Sequence, residues 1–362
     1  MQVLHISGAM SWRGGEQQLV NLYDALEKLG IKQAVYCPKK SALADYCIAN
    51  NLPHYTFTKT GGFNFIAAIQ LKEILKKNLD FSLLHLHDSD AHTLGYLAFL
   101  FGAKIPMMLS RKVVFKIKSS FFTKRKYNAD CIKKIICVSE AVKKIVEQAV
   151  EDKSKLTVVY EGVKPPKEID SDKFSLPSIV EEKQFDFLAG YVAALTSEKD
   201  HETFLQTANL LIKKGLKIGF IISGSGKEEN KISSRIKELG LSENVFMIGF
   251  CVNVPSLMKK LDVLLFTSLM EGFPITILES FFAKLPVVAT NAGGIPEMVK
   301  NEKTGFISGT GDAKQLSIHV EKILLDKELR DNIIENAFSF AQQFTYDKMA
   351  KNVLKVYDEI LK

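Results

Sequence analysis

The chain has 362 residues, of which 46% are hydrophobic and 25% charged, and its formal net charge is +7. This length predicts two domains or one large one, and the composition excludes a mainly disordered protein. No apolar run reaches the roughly 18 residues that a membrane-spanning helix needs. The N-terminus lacks the basic and apolar regions of a signal peptide, so we expect a cytoplasmic protein.

Five cysteines are scattered along the chain, and no two of them form a C-x-x-C pair. An odd number of thiols without such a framework indicates free cysteines in a reducing compartment. The histidines also lack zinc-finger spacing, so we expect no structural zinc site.

The first 164 residues alternate short apolar runs with amphipathic segments. This alternation predicts parallel strands covered by helices on both faces of a sheet. Gly14 and Gly15 lie in the loop between the first strand and the first helix. The predicted strands are residues 3–7, 34–37, 81–86, 106–109 and 135–138, and the predicted helices are residues 17–29, 65–78 and 140–147.

Residues 165–184 interrupt this alternation with three prolines, many charges and no periodicity. Such a segment predicts a linker, so we expect an N-terminal domain of residues 1–164 and a C-terminal domain of residues 185–344, followed by a helical segment at 345–362. Ligands of open α/β sheets bind at the carboxyl ends of the strands, which makes a cleft between the domains the expected site. The predicted strands are residues 185–188, 217–222, 245–248, 263–266, 286–289 and 305–307, with helices at 202–214 and 227–239.

The positive charge is concentrated in one part of the chain. Residues 101–150 carry 12 basic and 3 acidic side chains, and the densest stretch begins at Arg111 and ends at Lys134, with aromatic residues between the bases. Three interpretations remain open: a solvated basic surface, a contact with an anionic membrane or a phosphate-bearing acceptor, and nucleic-acid binding. The third is the least favoured because the chain contains no zinc-finger, RRM or KH signature.

Two carboxylates stand eight residues apart in the stretch from Glu271 to Glu279. Glu271 falls in a loop after a predicted strand, and Glu279 falls in the helix that follows. A loop that turns into a helix presents unpaired amides and the positive end of the helix dipole, which favour phosphate. Both carboxylates are then expected to reach one sugar nucleotide, although a helix-capping acid and a surface acid also fit this spacing.

The stretch that contains Glu271 and Glu279, together with the turn at 292–297, resembles the C-terminal half of the GT4-type glycosyltransferases, which are retaining enzymes of GT-B fold. The resemblance extends over nearly the whole chain: Gly14 and Gly15 match the family's N-terminal glycine loop, and Lys199 matches a lysine that binds phosphate. Ala194 stands where the family has an arginine. The resemblance implies two Rossmann-like domains whose parallel sheets face a central cleft, and a C-terminal helix that crosses back onto the first domain.

The resemblance also implies roles for individual residues. Glu279 is expected to hold the ribose, and Lys199 the leaving diphosphate, while Glu271 and the amides that follow it contact the sugar and the β-phosphate. His87, at a strand end, matches a histidine near the transferred sugar. Independently of the resemblance, Arg111 follows the strand predicted at 106–109 and is expected on the acceptor side; contact with an acceptor phosphate, contact with the donor diphosphate and a solvated surface role remain open. The donor-binding set implied in this way comprises Gly14, Gly15, Lys199, Gly224, Ile248, Glu271, Gly272, Phe273, Pro274, Ile275, Thr276 and Glu279, and the catalytic set comprises His87, Lys199 and Glu271.

Other histidines lie near His87 in the sequence. We interpret His85, on the predicted strand, as a structural residue and His92 as a residue of a helix face. A metal site formed by His85, His87 and His92 is disfavoured, because a strand followed by a helix does not bring these side chains together. The resemblance likewise implies that no metal or other cofactor is required.

These observations predict a retaining glycosyltransferase that moves a sugar from a UDP, GDP or ADP sugar to a hydroxyl of a glycan or lipid-linked acceptor. We expect it in the cytoplasm, either free or at the inner face of the membrane. Two other functions remain open: a sugar-nucleotide 2-epimerase of the same fold and a non-catalytic binding module. The sequence does not indicate an oligomeric state.

Overall fold

Two parallel β-sheets, one in each of two structural units, organise the chain. The computed structural model describes residues 1–61, 63–118, 120–166 and 174–362. Unit 1 comprises Met1–Lys164 and Phe344–Lys362, and unit 2 comprises Pro165–Gln343.

Unit 1 contains a seven-stranded parallel sheet with the strand order β3-β2-β1-β4-β5-β6-β7. The central strands are apolar and buried because helices cover both faces of such a sheet. β1 and β4 are neighbours, and their register places His5 beside His85. The strands are β1 (Gln2–Ile6), β2 (Lys32–Pro38), β3 (His54–Phe57), β4 (Leu83–Leu86), β5 (Met107–Arg111), β6 (Ile132–Cys137) and β7 (Leu156–Val158).

The helices of unit 1 begin at polar capping residues in most cases. Asp88, for example, accepts a hydrogen bond from the Ala91 amide at 2.8 Å, which satisfies an otherwise unpaired donor of the first turn. These helices are α1 (Gly14–Lys28), α2 (Ala42–Ala49), α3 (Phe65–Lys77), α4 (Ser89–Leu100), α5 (Phe121–Asn128) and α6 (Glu140–Val146).

The last helix of the chain, Tyr346–Leu361, belongs to unit 1 and packs against α1. Its buried residues include Met349, Ala350, Val353 and Tyr357, which recur at the spacing of one helix face. Burial of each large apolar side chain of this face stabilises the unit by about 1.5–3 kcal/mol. The polypeptide therefore returns to its N-terminal unit after completing unit 2.

Unit 2 contains a six-stranded parallel sheet with the strand order β10-β9-β8-β11-β12-β13. The order reverses between β8 and β11, so the loops that follow these two neighbouring strands lie side by side. The strands are β8 (Phe187–Val192), β9 (Ile218–Ser223), β10 (Val245–Gly249), β11 (Val263–Phe266), β12 (Val287–Thr290) and β13 (Phe306–Ser308).

Helices connect these strands, and α13 packs against α8. A one-turn 3₁₀ helix, Ser197–Lys199, precedes α8. The α-helices of unit 2 are α7 (Ser178–Glu182), α8 (His201–Lys213), α9 (Glu229–Glu238), α10 (Val254–Met258), α11 (Ile275–Phe282), α12 (Ile295–Met298), α13 (Ala313–Leu325) and α14 (Lys327–Ala341), and the chain ends with α15 (Tyr346–Leu361) in unit 1.

Several boundaries differ from the sequence-based expectation. The strand predicted at 106–109 extends to Arg111, so this residue ends β5 rather than following it. The predicted linker of residues 165–184 includes the helix α7, whose Val180 is buried, and its residues 167–173 lie outside the described residues. The pattern placed a helix around His92 without giving its bounds, and it did not predict α2, β3, α5, β7, α10, α13 or α14.

Candidate active site

Lys199 and Glu271 form an ion pair in unit 2, with Lys199 Nζ 2.5 Å from Glu271 Oε1. Both side chains are mostly buried, at 19% and 9% exposed. Lys199 follows β8 and Glu271 follows β11, so the adjacency of these strands brings together residues 72 positions apart. Because the pair is shielded from water, its attraction is stronger than that of an exposed pair.

Backbone contacts fix the two loops that carry this pair. The Tyr191 hydroxyl donates to the Lys199 carbonyl at 2.6 Å, and the Thr267 hydroxyl donates to the Asp200 carbonyl at 3.0 Å. The Gly294 amide donates to the Glu271 carbonyl at 3.0 Å, which ties the turn after β12 to the same site. The ammonium and the carboxylate are therefore held in place before any ligand binds.

The N-terminus of α11 follows the Glu271 loop after only three residues. Its N-cap is Pro274, and no side chain caps it, so the amides of Ile275 and Thr276 are not used by a capping group. Unpaired amides and the helix dipole make such a terminus attractive to an anion. Gly272 and Phe273 lie buried in the preceding loop.

Glu279 lies further along α11 and is partly buried. Burial raises the pKa of its carboxyl from 4.5 to about 7. Desolvation is the cause, because removal from water penalises the charged carboxylate. Hydrogen-bond donors on a ligand would relieve this penalty.

The turn after β9 packs closely on the loop after β8. Gly224 has a φ of +155°, and a Cβ there would lie 1.8 Å from the Ala193 carbonyl oxygen. The positive φ and the close contact each exclude a side chain at position 224. The Gly224 amide donates to the Gly249 carbonyl at 2.8 Å. Gly249 is the last residue of β10, and Ile248 precedes it in the same strand, so Ile248 is adjacent in sequence to the residue that contacts this turn. Ala194 lies in the loop on which the turn packs.

Gly14 and Gly15 begin α1 in unit 1. Apart from its chain neighbours and the adjacent backbone of its own helix, no described atom lies within 4 Å of the position that a Cβ on Gly15 would take. Packing within the protein therefore leaves room for a side chain at position 15. Because glycine does not fill this room, a ligand can approach the backbone there. Lys112 Nζ donates to the Gly15 carbonyl at 3.0 Å, which fixes the helix start to the segment after β5.

His87 is buried directly after β4, and its Nε2 lies 2.9 Å from Nδ1 of His5 in β1. The sequence-based reasoning did not single out His5, because one histidine in an apolar strand does not reveal which strand is its neighbour. His85 is bonded on both sides, with Nδ1 2.7 Å from the Tyr357 hydroxyl and Nε2 2.7 Å from the Ser110 hydroxyl. His85 therefore has a structural role.

The side chains of His5, His85 and His87 each offer a nitrogen within 4.8 Å of the others. Most of these nitrogens are already engaged, because both ring nitrogens of His85 are hydrogen-bonded and His5 Nδ1 lies 2.9 Å from His87 Nε2. His92 lies apart from the cluster, with Nε2 3.1 Å from the Lys126 carbonyl oxygen.

Arg111 ends β5, and its guanidinium donates to the Phe115 carbonyl at 2.7 Å. Its Nε is buried and has no hydrogen-bond partner among the described residues. The sequence-predicted residues thus fall into two groups. Lys199, Gly224, Ile248, Glu271 and Glu279 belong to unit 2, whereas Gly14, Gly15, His87 and Arg111 belong to unit 1.

Comparison with known proteins decides the family. The model of the family described as Glycosyl transferases group 1 matches residues 172–340, and that of Glycosyltransferase Family 4 matches residues 12–166. The chain belongs to the group 1 glycosyltransferases. Its two α/β units, with parallel sheets of seven and six strands, confirm the predicted GT-B fold class.

Named relatives of this glycosyltransferase include two bacterial proteins. It is 30% identical over 224 residues, 58% of each protein, to the capsular polysaccharide biosynthesis glycosyltransferase CapM of Staphylococcus aureus. It is 25% identical over 340 residues, 85% of each protein, to the UDP-Gal:alpha-D-GlcNAc-diphosphoundecaprenol alpha-1,3-galactosyltransferase of Escherichia coli. Anabaena Alr3699/HepE, solved in complex with UDP-glucose, has the same fold, with a TM-score of 0.82 over 99% of this chain and 100% of the other at 19% identity.

The basic segment of the glycosyltransferase is less uniformly exposed than its sequence suggests. Lys126 is buried and donates to the Thr93 hydroxyl at 3.0 Å, and burial lowers its pKa to about 8. Tyr127 is also buried, and Lys112 is engaged with Gly15. Among the described residues of this segment, the exposed bases are Lys116, Lys118, Lys124, Arg125 and Lys133. None of the helices in the described ranges is both long and apolar enough to cross a membrane.

Proposed function

We propose that this glycosyltransferase moves a sugar from a nucleoside-diphosphate sugar to a hydroxyl of its acceptor with retention of configuration. The observation that carries the proposal is the Lys199–Glu271 pair beside the uncapped N-terminus of α11. Fixed positive groups at this point suit a diphosphate, and the neighbouring carboxylate suits sugar hydroxyls.

Unit 2 binds the donor in this proposal. Lys199 and the amides of Ile275 and Thr276 bind the diphosphate, and Glu271 contacts the sugar. Negative charge grows on the leaving diphosphate as the glycosidic bond breaks, so these fixed groups stabilise the transition state more than the ground state. Glu279 accepts hydrogen bonds from the ribose, and the segment around Gly224 and Ile248 borders the base.

Unit 1 presents the acceptor. Gly15 has no packed neighbour at its Cβ position at the start of α1, where the family resemblance places donor-binding glycines; His87 offers a ring nitrogen at a strand end, and Arg111 supplies a cation. Ala194 removes one positive group from the arrangement that the family resemblance implies. We therefore expect weaker donor binding than in an enzyme with both cations, and Lys199 carries most of the attraction to phosphate.

The relatives indicate which substrates to test first. One is named for capsular polysaccharide biosynthesis, and another for transfer to a sugar on diphosphoundecaprenol. We infer an acceptor of the same class, a glycan or a lipid-linked saccharide used for a cell-surface polymer. The Anabaena structure contains UDP-glucose, so UDP sugars come before GDP and ADP sugars.

A lipid-linked acceptor requires access to a membrane surface. We propose that the exposed bases of residues 111–134 contact anionic headgroups at the inner face of the cytoplasmic membrane. Next to them, Phe121 is 74% exposed, and its neighbour Phe122 contacts the exposed Phe63 with ring centroids 5.0 Å apart. Bases beside exposed aromatic rings suit the boundary between headgroups and acyl chains. A cytoplasmic location also agrees with five buried cysteines, all of them unpaired.

Calorimetry with UDP, GDP and ADP tests the donor site. We expect one nucleotide to bind clearly better than the other two, and Glu279→Gln to weaken its binding. A hydrogen bond to a charged group contributes about 1.5–3 kcal/mol, so the dissociation constant should rise roughly 10- to 100-fold.

Glu302→Gln is the matched control. Glu302 is an exposed glutamate of unit 2 that pairs with Lys322, and loss of an exposed pair has little effect. Equal affinities of the wild-type protein and Glu279→Gln would contradict the assignment of Glu279 to the ribose.

A further inference from the structure

A cavity in unit 1 is lined by six polar and six apolar side chains, and four of the polar ones come from four different segments and are buried or partly buried. They are Gln18 of α1, His87 after β4, Lys112 after β5 and Glu161 after β7. Lys112 Nζ lies 3.8 Å from Glu161 Oε1. The strands that precede three of these residues are parallel, so the cavity lies at their carboxyl ends.

Several polar atoms of this cavity are unsatisfied. His87 Nδ1, Glu161 Oε1 and both amide atoms of Gln18 are buried and have no hydrogen-bond partner among the described residues. His87 is 6% exposed and Gln18 is 2% exposed. Buried polar groups without partners destabilise a fold, so a cluster of them around one cavity is a place where water or a ligand hydroxyl supplies the missing bonds.

The position of the proton on His87 follows from a chain of hydrogen bonds. Gln33 Nε2 donates to the Tyr23 carbonyl at 3.0 Å, which turns Gln33 Oε1 towards His5 Nε2, 3.0 Å away. An amide oxygen only accepts, so His5 Nε2 carries the hydrogen.

The position of the hydrogen on His5 determines in turn which nitrogen of His87 is protonated. Burial lowers the pKa of His5 to about 4, so at neutral pH this ring is uncharged and its Nδ1 bears a lone pair. That lone pair faces His87 Nε2 at 2.9 Å and accepts a hydrogen from it. Burial also lowers the pKa of His87 well below 6.5, so its Nδ1 in turn bears a lone pair.

We propose that this cavity is a hydroxyl-binding subsite, in which Gln33 and His5 are positioning residues that keep His87 protonated on Nε2 and leave its Nδ1 to accept a hydrogen bond from a sugar hydroxyl. The inference rests on the proposed function for the identity of the ligand. Gln18 and Lys112 donate to the same hydroxyl oxygen or its neighbour. The subsite therefore selects a group that donates a hydrogen, and it disfavours a methyl ether at that position.

Nitrogen NMR of the ¹⁵N-labelled protein tests the proton position directly, because protonated and unprotonated ring nitrogens give distinct shifts and couplings. The wild-type protein at neutral pH should show His87 protonated on Nε2 alone, with its signals assigned by their loss in His87→Gln. A wild-type spectrum with the proton on Nδ1 would overturn the inference without any variant.

Two variants of Gln33 separate positioning from packing. Both Gln33→Leu and Gln33→Glu lose the bond to the Tyr23 carbonyl, but only Glu keeps an acceptor for His5 Nε2. We expect Gln33→Leu to give mixed tautomers at His87 and a kcat/KM roughly tenfold lower, and Gln33→Glu to restore both. Equal tautomers and equal rates in the two variants would show that Gln33 acts only through packing.

The outcomes also separate this inference from the proposed function. If the wild-type spectrum shows the proton on Nε2 and Gln33→Leu disturbs it, the hydrogen-bond chain stands even if no sugar is transferred. Failure of transfer with every donor would then count against the proposed function, and a tautomer on the wrong nitrogen in an active enzyme would count against the subsite alone.

Discussion

At the scale of single residues, the ionised form of Glu279 lowers the stability of the fold, although the same carboxylate is proposed to bind the ribose. Its folded-state pKa of about 7 lies above the ordinary value of 4.5, so folding favours the protonated acid. The ionised form destabilises the fold, and stability is therefore lost as pH rises from 4.5 through 7. The shift corresponds to at most about 3 kcal/mol.

Replacement of Glu279 with Gln mimics the neutral acid and removes this penalty. We expect Glu279→Gln to raise the thermal unfolding temperature at pH 8 and to change it little at pH 5. Thermal scans of both proteins at the two pH values measure the difference. A shift of the same size at both values would show that ionisation of Glu279 does not affect stability.

The sequence predicted some residues of the site and not others for a physical reason. Glu271 was identified from its place in a loop between a strand and a helix, and Lys199 from the resemblance to the family, so both were named before their contact was known. The contact itself depends on β8 lying next to β11, which no local pattern encodes. His5 and Gln33 were missed for the same reason, since their roles arise from the neighbours of β1 and β2 in the sheet.

At the scale of elements, apolar runs predicted the central strands of both sheets, with ends displaced by a few residues. The bounds of helix α4 were not predicted because it is buried on most sides from Ala91 to Ala98, so its sequence has no polar face and no helical period. The short strand β3 is only partly buried, and an exposed short strand leaves little apolar signal.

The face formed by the start of α3 and by α5 leads to a prediction at the same scale. Phe65 and Phe121 are both more than half exposed, and Lys124 and Arg125 of α5 point their charges to solvent. A membrane-proximal base contributes about 1 kcal/mol, so Lys124→Gln combined with Arg125→Gln should weaken binding to phosphatidylglycerol vesicles roughly 30-fold. Vesicle sedimentation measures the effect.

The matched control for this double variant is Lys351→Gln combined with Lys355→Gln on α15, which removes the same charge from another exposed position of unit 1. Phe121→Ser should weaken vesicle binding further without unfolding the protein, because Phe121 is largely exposed. Equal binding by the α5 and α15 variants would mean that net charge alone, and not this face, attracts the membrane.

At the scale of the whole molecule, the positive excess lies in the first half of the chain, and the proposed donor-binding groups lie in the second half. Residues 1–170 carry 25 basic and 16 acidic side chains, whereas the rest of the chain carries 23 and 25. The proposed donor groups lie in the half without a positive excess, so binding of the diphosphate depends on a few fixed groups. The excess belongs to the half proposed to receive the acceptor, which agrees with a phosphate-bearing lipid or a membrane surface.

The central claim is retaining transfer from a nucleotide sugar to an acceptor hydroxyl. Its most direct test is NMR of the product formed from UDP-, GDP- or ADP-sugars and a lipid-linked saccharide. We predict a new glycosidic bond that forms only when the acceptor is present and that keeps the anomeric configuration of the donor. An inverted linkage, an epimerised nucleotide sugar formed without acceptor, or binding without any turnover would contradict it.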